Sequence, residues 1–278
     1  MTEEQPLGGG RSTTVSRVGD SVRRETGPWT ATVHAYLRHL RAAGFVGAPE
    51  VLGLDEHGRE ILRFIEGTTM GDALDPREPK TEMVTIRPWS AAIRSDRALA
   101  GVGRLLRDLH DAARGFRPAT PVWREHDAPM ATDEIVTHGD AGPWNVVFRG
   151  EDPVAFIDWD NARPQRPLLD LAGAAWHFIP LGDDDHLRAS GFAAPFRRGE
   201  RLRVLGDAYG VTDHAALLDA LSEVKQRWPA KLRYWQPLRP SVAARFLRGC
   251  AEDLDWLERN RQDLASHLGN WEPRREGA

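Results

Sequence analysis

Hydrophobic residues follow different spacings in the two parts of the chain. Up to residue 66, short apolar and polar alternations predict strands over 13–18, 21–24, 51–54 and 60–65. Between the second and third of these, Val33, Leu37 and Leu40 follow helical spacing and predict a helix over 30–43 with Thr30 as its N-cap. Residues 1–11 are polar and glycine-rich, so we expect them to be frayed. This part therefore predicts a small antiparallel sheet with one helix.

Helical spacing dominates after residue 66. Helices are predicted over 96–113, 168–178, 197–209, 214–228 and 241–268, and the segment 75–90, with its three prolines, is predicted to be a loop. We therefore expect an α+β protein with a bilobal fold. Residues 1–66 would form the small N-terminal lobe, and residues 67–278 a larger, mainly helical C-terminal lobe.

A hairpin in the middle of the chain carries most of the candidate chemistry. Strands are predicted over 134–137, 146–148 and 154–157, and Asp140, Asn145 and Asp158 fall at strand ends on one rim. Carboxylate and amide oxygens suit Mg²⁺, which favours Asn145 and Asp158 as metal ligands. Asp140 precedes Asn145 by five positions, the spacing that protein kinases use for the residue that accepts a hydroxyl proton. The alternative is an acidic hairpin whose Asp and Asn residues only make turns, as we expect for Glu151 and Asp152.

Composition and charge narrow the class of protein. A net charge of -4 argues against nucleic acid as the partner, because such binding needs uncompensated cations. Cys250 is the only cysteine, which excludes an internal disulfide and favours a buried, inert thiol. No targeting sequence or span long enough for a membrane is present, so we expect a cytoplasmic protein without a membrane partner.

The hairpin motifs resemble those of the aminoglycoside phosphotransferase family. HGDAGPWN at 138–145, IDWD at 157–160 and RPLLDLA at 166–172 carry the resemblance. GGGRSTTVSRVGDSVRR is similar to the family's nucleotide-covering hairpin, GREILRFIEG to its lobe connector and GRLLRDLHDA to its helix before the catalytic loop. Within the family, GPWT, HGDAGPWN and IDWDNARP resemble bacterial members that are labelled phosphotransferases or relatives of an immunity protein.

This resemblance implies a protein-kinase-like bilobal fold with a nucleotide in the cleft, ATP first and GTP as the alternative. It implies that Asp140 is the catalytic base and that Asn145 and Asp158 hold Mg²⁺. It also implies that Asp170 is a buried acid supporting the loop and that His138 is structural.

The nucleotide side departs from the kinase pattern. Kinases hold phosphate with a strand lysine that is fixed by a helix glutamate, but this chain has no lysine before Lys80. Arg24 is the predicted replacement, with Arg23 as the fallback. The helix glutamate is missing too, and His34 is the only polar inward candidate there. Gly8 to Gly10, with Ser12 and Thr13, either approach phosphate or form a flexible tail, and both interpretations stay open.

Two further groups have both a functional and a structural interpretation. Asp183 and Asp184, with Asp185, either contact a cationic acceptor or form a helix cap or solvated loop. Four tryptophans either line an acceptor pocket or pack in the core: Trp144, Trp159, Trp228 and Trp235.

We therefore expect an ATP- and Mg²⁺-dependent phosphotransferase acting on a hydroxyl group of a small molecule, as a monomer or homodimer. One alternative is a non-catalytic kinase-like binding or immunity protein, which the missing lysine and glutamate favour. Another is a kinase for serine or threonine side chains of a modified peptide.

Overall fold

The computed structural model describes residues 4–7, 15–70, 88–179, 181–234 and 240–268. Predictions for Ser12, Thr13, Gly8 to Gly10, Trp235 and most of the segment 75–90 lie outside these ranges. Among the described residues, no helix is both long and apolar enough to cross a bilayer.

An antiparallel sheet of five strands forms the N-terminal part. Its strands are β1 (Glu4–Pro6), β2 (Val15–Val18), β3 (Ser21–Arg24), β4 (Val51–Leu54) and β5 (Glu60–Arg63), in the order β1-β2-β3-β5-β4. Helix α1 (Thr30–Ala42) lies between β3 and β4 in the chain. The predicted small sheet with one helix is confirmed.

Two local predictions in this part are wrong. Glu4–Pro6 is not frayed but pairs with β2, and the sequence concealed this because all three side chains are exposed and show no apolar pattern. Thr30 is the first residue of α1 rather than its cap. The N-cap is Trp29, and the hydroxyl of Thr30 instead accepts from the Gly27 amide at 2.9 Å.

The rest of the chain is mainly helical, as predicted. Its helices are α2 (Ala91–Arg94), α3 (Asp96–Ala112), α4 (Pro167–Phe178), α5 (Asp184–Ala189), α6 (Arg198–Tyr209), α7 (His214–Arg227) and α8 (Pro240–His267). Cys250 on α8 is buried, as its helical position predicted.

Two small strand pairs lie between α3 and α4 and position the candidate site. β7 (Val146–Arg149) and β8 (Asp152–Phe156) form the predicted hairpin. The predicted four-residue turn is wrong in length, since β8 already begins at Asp152 and only Gly150 and Glu151 lie between the strands. β6 (Ile135–Thr137) pairs with β9 (Arg163–Gln165), a strand that the sequence did not predict.

One hydrophobic core continues from the sheet lobe into the helical lobe. Val33, Tyr36 and Leu40 of α1 belong to the same buried cluster as Leu106 of α3 and Leu171 of α4. The hydroxyl of Tyr36 donates to the carbonyl oxygen of Val136 at 2.5 Å, and its ring packs edge-on against Trp159. Helix α1 therefore fixes the sheet lobe to the strands that carry the candidate site. The lobe boundary at residue 66 stays a prediction.

Candidate active site

The loop between β6 and β7 carries His138, Asp140 and Asn145, and Asp158 follows β8. The side-chain nitrogen of Asn145, Nδ2, donates to both the backbone oxygen and the Oδ2 atom of Asp140, at 3.0 Å each. A further bond joins the loop to the end of β8, from the Ile157 amide to the Asn145 carbonyl oxygen at 2.9 Å. Strand pairing thus brings together the three polar residues that the sequence placed on one rim.

Asp140 is only partly exposed. Asn161 also donates to its Oδ2 atom, at 3.4 Å. Burial raises the pKa of Asp140, because it disfavours the charged form, while the charges of Lys231 and His138 act in the opposite direction. A carboxylate whose proton affinity is raised in this way suits the acceptance of a proton from a hydroxyl group.

Asn145 and Asp158 are the residues that could hold a Mg²⁺ ion together with phosphates. Asn145 uses its amide nitrogen on Asp140, which leaves the amide oxygen as its ligand atom. Asp158 has φ 59°, a left-handed conformation that is rare outside glycine and is typical of functional sites. No cluster of three or more His, Cys, Asp or Glu residues able to hold a metal occurs in the described ranges. Two oxygen ligands nevertheless agree with the habit of Mg²⁺ of keeping waters and binding substrate phosphates.

Arg24 reaches from β3 of the sheet lobe into this site. Its Nη2 atom lies 2.7 Å from Asp160 Oδ2 and 3.2 Å from Asp158 Oδ1, and its Nε atom lies 3.1 Å from Glu60 Oε1. Burial opposes its charge, but the three carboxylates outweigh that effect and raise the pKa of Arg24. The fallback residue Arg23 points elsewhere, towards Ser21 and Asp55.

The acid that was missing from helix α1 is supplied by strand β5. Glu60 is paired with Arg24 across β3 and β5 and is buried beside it. His34 of α1 then contacts Glu60, with 2.8 Å between Nε2 and Oε2. The helix therefore still contributes to the site, through a histidine that holds the glutamate.

Asp170 and His138 form hydrogen bonds that position the loop carrying Asp140. Asp170 Oδ1 accepts from the Gly139 amide at 3.0 Å and from Gln165 Nε2 at 2.8 Å, while its Oδ2 atom lies 3.1 Å from His110 Nε2. Burial opposes the charge of Asp170, but the His110 hydrogen bond and neighbouring positive charges outweigh it and lower the pKa. Both ring nitrogens of His138 bond the backbone, at Ile157 and Asp140, so neither is left for a metal.

A narrow cleft adjoins Asp140. Its walls include residues from later in the chain: Arg163, His177, Trp228 and Lys231. His177 stacks on Trp228, with ring centroids 5.3 Å apart, and meets Trp144 edge-on at 4.6 Å. Trp144 and Trp228 therefore lie near Asp140, whereas Trp159 is a core residue.

The aspartates after α4 have structural partners. Asp183 is the N-cap of α5 and accepts from the His186 amide at 2.8 Å. Asp184 pairs with Arg198 at 2.9 Å and with Arg188 at 3.4 Å, and neither Asp183 nor Asp184 lines the cleft beside Asp140. These contacts favour the helix-cap interpretation, and a role in acceptor binding stays a prediction.

Sequence reasoning missed Glu60, Asp160, Asn161 and Lys231. Asp160 and Asn161 lie two and three positions after the predicted metal ligand in IDWDN, so proximity in sequence could have identified them. Glu60 requires the register of β3 and β5, and Lys231 requires the packing of a segment far along the chain. The rarity of lysine was a usable signal, since only three occur in 278 residues.

Solved structures show the same architecture. A choline/ethanolamine kinase family protein from Mesorhizobium loti superposes with a TM-score of 0.56 at 20% identity, over 96% of this chain and 92% of that chain. An amicoumacin kinase, solved in complex with AMP-PNP, Ca²⁺ and Ami, gives 0.60 at 12% identity, over 90% and 88%. The predicted kinase-like bilobal fold is confirmed.

Sequence similarity defines the family more narrowly. The profile of the phosphotransferase enzyme family matches residues 87–206. Trifolitoxin immunity protein of Rhizobium leguminosarum bv. trifolii is 40% identical over 217 residues, which cover 76% of each chain. The chain belongs to the phosphotransferase enzyme family.

Proposed function

We propose that the protein transfers the γ-phosphate of ATP to a hydroxyl group of a small molecule, with Mg²⁺ as the metal. The observation that carries this proposal is the contact between Asp140 and Asn145 beside the left-handed Asp158. This arrangement supports the proposal, because it would hold a proton acceptor and two metal-binding oxygens on one rim. The narrow cleft next to Asp140 favours a small acceptor over a peptide.

Asp140 would orient the acceptor hydroxyl and receive its proton as the oxygen bonds to the γ-phosphorus. The bond from that phosphorus to the β,γ-bridging oxygen breaks, and ADP leaves with the electron pair. Mg²⁺ held by Asn145 and Asp158 would neutralise charge on the phosphates. Asn145 and Asn161 keep the Asp140 carboxylate in place.

Arg24 would bind phosphate in place of the usual lysine. Its guanidinium lies next to both Asp158 and Asp160, and Glu60 holds its Nε side. Arginine binds phosphate through a planar fork rather than as a point charge, so it can serve this role with a different geometry. GTP remains the alternative nucleotide, and Ser12 and Thr13 remain candidate phosphate contacts.

Asp140→Asn is the direct test. We expect phosphate transfer to fall by about 10²–10⁴-fold, the usual contribution of a general base. The thermal stabilisation given by Mg-ATP should persist, since the amide keeps the shape of the side chain. Transfer would be followed by ADP release over a panel of hydroxylated compounds. Asp152→Asn, which removes an exposed carboxylate from the neighbouring β7–β8 hairpin, is the matched control.

A non-catalytic role as a nucleotide-binding immunity protein is the second candidate. Two observations favour it: the name of the 40% identical relative, and the arginine that stands where kinases carry lysine. Stabilisation by Mg-ATP without ADP release on any acceptor would support this role. Unchanged turnover in Asp140→Asn would rule out Asp140 as the base.

A further inference from the structure

The cleft beside Asp140 lies on the acceptor side of the site. Its described lining includes Asp140, Asp170, Arg163 and Lys231 but none of Arg24, Asn145 or Asp158. The residues proposed to bind Mg-ATP therefore lie outside the lining of this cleft, which leaves the cleft for the acceptor. A hydroxyl group that reaches Asp140 from this cleft would carry its substituents past Arg163 and Lys231.

The two acids in the lining already have defined tasks. Asp170 accepts from Gly139, Gln165 and His110, and this saturates the face of its carboxylate that points to the loop. Asp140 bonds Asn145 and Asn161 and is the residue that would meet the acceptor hydroxyl. Neither carboxylate is available to pair with a cationic substituent of an acceptor without giving up that task.

The two cations share one nearby carboxylate, and Arg163 Nη1 also donates to the carbonyl oxygen of Asn161 at 3.1 Å. Arg163 Nη1 and Lys231 Nζ each lie 3.6 Å from the same atom, Glu125 Oε2, which is longer than a hydrogen bond. Glu125 is buried, so one carboxylate is shared between two nearby positive charges. Burial, followed by the charge of Arg163, lowers the pKa of Lys231, while Glu125 and Asp140 act in the opposite direction. With both carboxylates of the lining engaged in the contacts above, the donors that the cleft offers to a ligand include the ammonium of Lys231 and the guanidinium of Arg163.

Trp228 lies next to this charge, with its ring centroid 5.8 Å from the ammonium of Lys231. Trp228 lies beside the cleft, stacked on His177 on one side. The ammonium of Lys225 lies 3.9 Å from the ring centroid of Trp228. It also forms a salt bridge with Asp253 of α8 at 2.5 Å. Lys231 lies three residues after Trp228, in the same short 3-10 helix (Trp228–Tyr234). Two of the three lysines of this arginine-rich chain thus flank Trp228.

Resting on the proposed function, we propose that the acceptor carries a negatively charged group, such as a carboxylate or phosphate, that Lys231 and Arg163 bind while Asp140 receives the hydroxyl. The room in the cleft is small, ≈ 20 Å³ for the centres of water-sized groups, so a compact anionic group rather than a sugar ring would enter it. The remainder of the acceptor would extend outwards over Trp228. This specificity differs from the cationic acceptors that an acidic pocket would select.

Matched acceptors that differ only in charge test this proposal. Gluconate, gluconamide and glucamine form one set, and glycerate, glyceramide and 3-amino-1,2-propanediol form a smaller one, with glycerol 3-phosphate as the phosphate arm. With the full chain and Mg-ATP, we expect kcat/KM for the anionic members to exceed that for the amides by at least about tenfold, as a charge-assisted hydrogen bond supplies. The amines should be the poorest acceptors.

Lys231→Gln should remove this preference. We expect KM for the anionic acceptors to rise about 10–100-fold, while KM for their amides and for Mg-ATP changes by less than about twofold. Lys231→Arg should recover part of the preference. Arg227→Gln, which removes an exposed cation one helical turn earlier, is the matched control and should leave all three constants unchanged.

Binding decides the matter even without turnover. The same compounds would be titrated calorimetrically into the protein saturated with Mg²⁺ and AMP-PNP. Preferential binding of the acids without any transfer would overturn the proposed function but support the anionic cleft. Equal binding of acid and amide, preference for the amine, or a Lys231→Gln effect confined to Mg-ATP would overturn the anionic cleft.

Discussion

His177 shows how one partly buried side chain links the cleft beside Asp140 to the response of the fold to pH. Its ring lies between Trp144 and Trp228. Burial, followed by the positive charges of Lys225, Lys231 and His186, lowers the pKa of His177 to about 3. The imidazole is therefore neutral in the folded protein near pH 7, where it packs as an aromatic ring between the two tryptophans.

His177→Phe should make the fold less sensitive to acid. In the unfolded chain a histidine has a pKa of about 6.5, so below that pH the unfolded state takes up a proton that the folded state does not. Stability is complete above about pH 6.5 and falls as the pH falls. Between pH 7.5 and 5.5 we expect the wild type to lose about 1 kcal/mol more than His177→Phe in urea unfolding. Identical losses in the two proteins would contradict the neutral, partly buried histidine, and His57→Phe at an exposed position is the control.

Single residues were predictable where the chemistry depends on local spacing. Asp140 and Asn145 share one loop, and Asp158 ends the hairpin that begins at Asn145, so short-range sequence was enough to bring them together. Glu60 was not found, because its contact with Arg24 depends on strand register rather than on spacing. Lys231 was not found, because only packing of the 3-10 segment brings it to Asp140. The sequence thus predicts Asp140, Asn145 and Asp158 of the candidate site better than the residues that surround them.

At the scale of elements, the packing of α3 against α6 positions a histidine that contacts Asp170 of the candidate site. Helix α3 carries His110, which bonds Asp170 at 3.1 Å and the Tyr209 hydroxyl of α6 at 2.8 Å. The helices approach closely at Gly103, where an added Cβ would lie 2.7 Å from the Leu205 carbonyl oxygen and 3.0 Å from the Ala208 Cβ. This glycine is therefore needed for contact rather than for backbone freedom.

Gly103→Ala should destabilise the protein by about 1–3 kcal/mol, because a backbone carbonyl cannot move away as a side chain can. Alanine is otherwise about 1 kcal/mol better than glycine inside a helix. Gly249→Ala on α8, where nothing lies within 4 Å of the added atom, should therefore stabilise by up to about 1 kcal/mol. Urea unfolding of the two variants measures both effects. Stabilisation by Gly103→Ala would show that α3 and α6 separate without cost.

Elements were predictable in proportion to their length and pattern. The long helices α3, α4, α6, α7 and α8 were predicted from their apolar faces. Helix α5, with six residues, was instead interpreted as a cap or loop. β9 was missed because three residues with a central proline give no strand pattern, yet it pairs with β6 and carries Arg163 to the cleft. Short strands of this kind are determined by their partners, which a local pattern does not contain.

At the scale of the whole molecule, the two lobes meet through a buried ionic contact as well as through the core. Arg24 belongs to the sheet lobe, while Asp158 and Asp160 belong to the helical lobe. Arg24 and Asp160 are each less than a tenth exposed, so their attraction is only weakly screened by water. The sequence predicted two lobes and the importance of Arg24, but not that the same arginine also joins the lobes.

A double-mutant cycle on Arg24 and Asp160 measures this connection. Arg24→Met removes the cation that contacts Glu60, Asp158 and Asp160, so it should cost about 3–5 kcal/mol of unfolding free energy. Asp160→Asn leaves Arg24 with Glu60 and Asp158, so it should cost less, about 1–3 kcal/mol. The double variant should be less destabilised than the sum, by about 1–3 kcal/mol, because the two residues contact each other. The exposed pair Arg97 and Asp152, within the helical lobe, is the matched control and should couple by at most about 1 kcal/mol. Additive effects at Arg24 and Asp160 would mean that the core alone, through Tyr36 and its neighbours, holds the lobes together.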